Sequence, residues 1–80
     1  MEKMTGNPIT IKYTNDDGVP CEITATPRAF YKMWWYDEID LPCNDAELDS
    51  IEQDGHTVPA NGITFENFIQ DVCRYIATIL

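Results

Sequence analysis

Between Met33 and Cys73 the chain contains no lysine or arginine, and over its 80 residues 5 basic side chains face 14 carboxylates. A formal net charge of −9 repels nucleic acid and anionic membrane surfaces and attracts cations and basic partners, so direct DNA or RNA binding is not expected. Glycine is scarce as well: the 4 glycines are never arranged as a phosphate-cradling loop. The single histidine, His56, follows Asp54 by two residues, yet no nucleophile elbow or zinc-ligand spacing accompanies it, and an arrangement with a cysteine has no specific support. A domain this small also leaves little room for a water-excluding pocket. The expectation is therefore a protein that is not an enzyme and carries no cofactor.

Long apolar runs are missing. Phe65 to Leu80 is the longest apolar-rich segment, and it carries Glu66, Asp71 and Arg74, too polar and too short to cross a bilayer. Met1 to Pro8 lacks the apolar core of a secretory signal, which leaves a soluble, cytoplasmic protein as the expectation. The 3 cysteines, Cys21, Cys43 and Cys73, include no close pair of the kind redox or zinc motifs use; free thiols are expected, with one disulfide and a spare thiol as the alternative. The length fits one small acidic domain, residues 1–80, with 1–7 read as a flexible tail.

Ile9, Ile11 and Tyr13 alternate with Thr10, Lys12 and Thr14, and Val19, Cys21, Ile23 and Ala25 alternate with Pro20, Glu22 and Thr24. Both runs read as half-buried strands. Opposing their apolar faces requires Tyr13 against Cys21 and Ile11 against Ile23, which needs a three-residue loop, Asp16-Asp17-Gly18, with Gly18 left-handed. Pro20 then belongs on an edge. Thr26-Pro27 is a good helix entrance, and a helix follows over roughly ten residues, although the aromatic content of 27–41 leaves a strand open. Asn44 and Glu47 resemble a capping box and Gly55 a C-terminal cap, which predicts a short helix from Asp45 to Gln53 anchored by Ala46, Leu48 and Ile51. Residues 56–62 read as a loop with a brief extended piece at Thr57-Val58. Thr64 caps the clearest helix, with Phe65, Phe68, Ile69, Val72, Ile76 and Ile79 on one side. The fold class expected is α+β: an N-terminal antiparallel hairpin packed against a long C-terminal helix, with one or two shorter helices between.

Eight carboxylates fall between Asp37 and Asp54: Asp37, Glu38, Asp40, Asp45, Glu47, Asp49, Glu52 and Asp54. On the expected helix Asp45, Asp49 and Glu52 form one stripe, where like charges destabilise by a few tenths of a kcal/mol per pair, a tension that reserving the face for a cationic partner would explain. Solubility alone is the plainer account. Just upstream, Phe30, Tyr31, Trp34, Trp35 and Tyr36 crowd into seven positions, and adjacent tryptophans point in different directions on either a helix or a strand. Trp34, Trp35 and Tyr36 beside Asp37, Glu38 and Asp40 have the makeup of a binding hot spot with an acidic rim, the competing account being that they supply core. Asp45-x-Glu47-x-Asp49 fails as a calcium loop because Ser50 stands where glycine is needed and His56 replaces the terminal carboxylate, so no metal site is expected.

The leading reading is a binding protein that uses these carboxylates and aromatics to occupy a basic surface of a partner protein, with mimicry of nucleic acid or steric blocking as its two forms. The runs Asp37-Glu38-Ile39-Asp40 and Asp45-Ala46-Glu47-Leu48-Asp49 resemble the acidic stretches of small phage-encoded anti-defence inhibitors, the anti-CRISPR proteins among them. That resemblance is one of size and charge, and it implies a target such as a CRISPR effector complex with a lysine-rich nucleic-acid channel. The alternative is a homodimeric or antitoxin-like interaction module whose charge serves solubility.

Overall fold

The computed structural model describes residues 4–36, 41–60 and 62–79. Its elements run β1 (Ile9–Thr14), β2 (Pro20–Ala25), α1 (Pro27–Trp35), β3 (Leu48–Gln53), β4 (His56–Pro59) and α2 (Phe65–Ile79). The sheet is antiparallel in the order β2-β1-β3-β4. Since β2 and β3 both oppose β1, they run parallel to each other, and α1 is the crossover between them. The fold is α+β, and among the described residues one short helix, α1, lies between the first hairpin and α2.

The first hairpin follows from its alternation. Tyr13 stands opposite Cys21 and Ile11 opposite Ile23. Asn15 N–H donates to the Val19 carbonyl at 3.0 Å across the loop Asp16-Asp17-Gly18, and Gly18 has φ +77. The Asn15 side chain accepts from the Asp17 and Val19 N–H groups, both at 2.9 Å, and so holds the turn together. Because Asn15 and Val19 form a hydrogen-bonded pair, the nitrogen of Pro20 in the next pair faces away from β1, where a missing N–H breaks no ladder bond.

The segment expected to be a helix over 45–53 is instead β3. Leu48 and Ile51, three apart, suit one helix face and violate strict strand alternation. The irregularity between Lys12 and Tyr13 resolves this: Tyr13 pairs with Leu48 and Lys12 with Ser50, which leaves Asp49 as an extra bulged residue and lets Leu48, Ile51 and Gln53 all face inward. Gly55 is not a helix cap. Asp54 (φ +56) and Gly55 (φ +81) are the two positive-φ residues of a tight turn from β3 into β4. The expected capping box at Asn44 is absent too; the Asn44 carbonyl accepts from Glu66 N–H of α2 at 2.9 Å.

Both helices cover one face of the sheet. Ile9, Ile11, Leu48 and Ile51 join Phe30 of α1 and Phe65, Phe68, Ile69 and Val72 of α2 in one buried cluster. Burying each of the larger side chains stabilises by about 1.5–3 kcal/mol. Phe30 meets Phe68 edge to face, with centroids 5.1 Å apart and planes at 86°. Thr26 caps α1 by accepting from Ala29 N–H at 3.2 Å. At the start of α2, Asn67 N–H donates to the Thr64 hydroxyl at 3.3 Å, and the Phe65 and Glu66 N–H groups reach the Ala46 and Asn44 carbonyls. The free donors of that helix end are thereby satisfied by this chain's own atoms. Gln53 is the one buried polar side chain among the described residues. Its amide donates to the Thr5 and Asn7 carbonyls at 2.9 and 2.8 Å and accepts from Thr5 N–H at 3.1 Å, so residues 5–7, expected within a tail, run alongside the second hairpin.

Candidate functional site

The carboxylates from Asp45 to Asp54 do not share a stripe. Asp45 is exposed in the turn ahead of β3, and Glu47 is exposed with its backbone bridged to Thr64. Asp49 sits on the bulge and accepts from the Thr14 hydroxyl at 3.3 Å. Glu52 is on the sheet face away from the helices, accepting from Thr57 at 3.1 Å. Asp54 is at the opposite end of β3, accepting from the Thr5 hydroxyl at 2.9 Å and the Asn7 amide at 2.6 Å. The helical stripe Asp45, Asp49, Glu52 is therefore replaced by a dispersed set, because a strand sends alternate residues to opposite faces and the bulge shifts that phase once. Asp37, Glu38 and Asp40 lie outside the described residues.

A different grouping emerges at the tip of the first hairpin. Asp16 and Asp45 line the same shallow depression, whose wall includes Tyr13 and Thr14. Thr14 also donates to Asp49, which brings a carboxylate from a third chain segment to the same end of the sheet, and Asp17 follows Asp16 on the loop. Lys12 is the nearest cation along β1, sharing a second depression with Glu22 and Asp49 on the outer sheet face. Asp16 and Asp17 read as turn residues in the sequence. What brings Asp16 to the depression that Asp45 lines is the pairing of β1 with β3, which no local signal announces.

The aromatics occupy the other layer. Trp34 is half-buried against α2, while Trp35 and Tyr36 are 63% and 73% exposed. Tyr31 stacks on Trp35 with centroids 6.2 Å apart and planes at 23°, and Trp34 adjoins both rings at 6.4 Å. Tyr31, Trp35 and Tyr36 form one wall of a groove between the helices, and Cys73, Ile76 and Ala77 of α2 form the other. Among the described residues the charged side chains lining that groove are Arg28 and Lys32. Among the described residues, then, the aromatics keep company with cations rather than with the 45–54 carboxylates. The signal was available: Arg28 and Lys32, like Tyr31 and Trp35, are four apart on one helix.

All three thiols are free, Cys43 exposed and Cys21 and Cys73 half-buried. Among the described residues no group of three His, Cys, Asp or Glu side chains is placed to hold a metal, and no helix is long and apolar enough to cross a membrane. Comparison of the chain with protein-family models, with curated proteins and with solved structures found no match.

Proposed function

We propose that this protein is a non-enzymatic binding inhibitor whose carboxylate-rich end occupies a basic, nucleic-acid-handling surface of another protein, an anti-CRISPR or similar anti-defence role. The observation that supports it best is that Asp16 and Asp45 line one depression at the hairpin tip while Asp49, from a third segment, accepts from the Thr14 hydroxyl on its wall. Folding that collects like charges works against itself by a small Coulomb term, and a cationic partner would relieve it. Asp37, Glu38 and Asp40 belong to the same acidic stretch in sequence, and Glu47, Glu52 and Asp54 would add long-range attraction rather than direct contact with one flat target.

The test is a pull-down from nuclease-treated host lysate with washes at about 100 and about 500 mM salt, over which screening shortens from about 10 Å to a few Å. Asp16→Asn, Asp45→Asn and Asp49→Asn are then combined in one variant. A basic nucleic-acid-binding protein retained at low salt, depleted at high salt and lost by the triple variant at unchanged melting temperature is the expected result. A partner indifferent to all three substitutions refutes the reading. The exposed Trp35 and Tyr36 favour the alternative, a homo-oligomeric or antitoxin-like module, for which Trp35→Ala rather than the triple variant abolishes recovery.

A further inference from the structure

The groove between α1 and α2 is unlike the rest of the surface. The chain has 14 carboxylates and 5 basic residues, yet the described residues lining this groove include Arg28 and Lys32 and no carboxylate. Among the described residues neither cation is ion-paired; Arg74, on the far flank of α2, is the one that is, to Asp71 at 3.1 Å. The floor and walls are largely apolar, and Trp35 and Tyr36, two of the large apolar side chains exposed among the described residues, line it. Contiguous exposed apolar surface of this kind marks an interaction site.

We propose that this groove docks an acidic amphipathic helix of a partner protein, a contact separate from the carboxylate-rich end and independent of it. Length and charge both argue for that occupant. From Arg28 to Trp35 α1 rises about 10 Å, roughly two helical turns, which matches a segment presenting apolar anchors one turn apart. The stacked Tyr31 and Trp35 rings offer a rigid flat wall to those anchors, and aromatic surfaces of this type dominate binding energetics. Arg28 and Lys32, one turn apart on the rim, match two carboxylates one turn apart on the docked helix. A second copy of this chain fits less well. A two-fold pairing through the groove brings together two copies of a surface lined by Arg28 and Lys32, with no carboxylate among its described lining residues to pair with them.

Both tryptophans of the chain are on α1, so intrinsic emission reports directly on occupancy of the groove. The probe is a displayed library of helix-forming peptides without tryptophan, selected on the full chain, followed by fluorescence titration of the selected peptides. The expected outcome is enrichment of Asp or Glu beside Leu or Phe at i, i+4 spacing and a blue shift of emission on binding. A double variant, Arg28→Glu with Lys32→Glu, is expected to weaken binding at least tenfold. The Asp16, Asp45 and Asp49 triple variant is expected to bind the same peptides within twofold, which keeps the failure of one surface distinguishable from the failure of the other. Enrichment of basic or uncharged peptides, no enrichment, insensitivity to the double reversal, or concentration-dependent self-association that buries Trp35 each overturns the proposal. Arg28 and Lys32 are exposed, and circular dichroism of the double variant checks that it is folded.

Discussion

The β1–β2 hairpin presents Ile9, Ile11, Tyr13, Cys21, Ile23 and Ala25 to the helices, whereas the β3–β4 hairpin offers chiefly Leu48, Ile51 and Val58, with Gln53 sharing its inner face. One is phased by hydrophobic alternation over its whole length. The other depends on three local devices: a bulge at Asp49, two consecutive positive-φ residues at Asp54 and Gly55, and a buried amide that ties it to residues 5 and 7. A sheet with a well-phased central strand can recruit a poorly phased neighbour, because β1 supplies the register and the neighbour needs only a few inward residues and a turn that brings it back.

Changing the two hairpins in parallel sharpens this contrast. The largest effect is expected from Ile11→Ala, which empties a fully buried site on the central strand and should lower stability by about 2–5 kcal/mol in denaturant unfolding. Next comes Gln53→Ala, which leaves the Thr5 and Asn7 carbonyls without their donor for about 1–3 kcal/mol. Gln53→Leu should recover the lost volume but not the bonds, and amide exchange at residues 5–7 should accelerate in both variants. If Gln53→Leu is as stable as the parent, the second hairpin is held by apolar packing like the first and the contrast fails. Smallest is Gly55→Ala: no atom lies within 4 Å of the added methyl, so its effect is the left-handed backbone alone, about 1–2 kcal/mol. Gly18→Ala is expected to match it, since that glycine also has open space and a positive φ. A much larger loss at Gly55 would mean that the β3–β4 turn also determines register.

The same contrast explains what could be read before the structure. Ile9-Ile11-Tyr13 and Cys21-Ile23-Ala25 carry their pairing openly, and Thr26, Thr64 and the Phe65 to Val72 spacing carry the helix starts. β3 was masked because the bulge turns an inward Leu48 and Ile51 into a three-residue interval, the signature of a helix, and because the buried position after them is glutamine. Asp54-Gly55 between Ile51 and Val58 is a hairpin signal that competes with the helical spacing. For the candidate surfaces, composition revealed that charge and aromatics were concentrated. It could not reveal their neighbours, since Asp16 reaches the depression that Asp45 lines only through the β1–β3 pairing, and Trp35 meets Ile76 and Ala77 only through the packing of α1 on α2.

Pro20 has a bearing on how the protein behaves in acid. The free edge of β2 turns the backbone groups of Pro20, Glu22 and Thr24 outward, and a proline there deletes one of three donors that another strand would seek. At neutral pH mutual repulsion between molecules of charge −9 makes this deletion redundant. Near the isoelectric point of about 4.1 that the composition sets, colloidal repulsion is gone, and the N–H missing at Pro20 is one hydrogen bond that a strand docking on this edge would still lack.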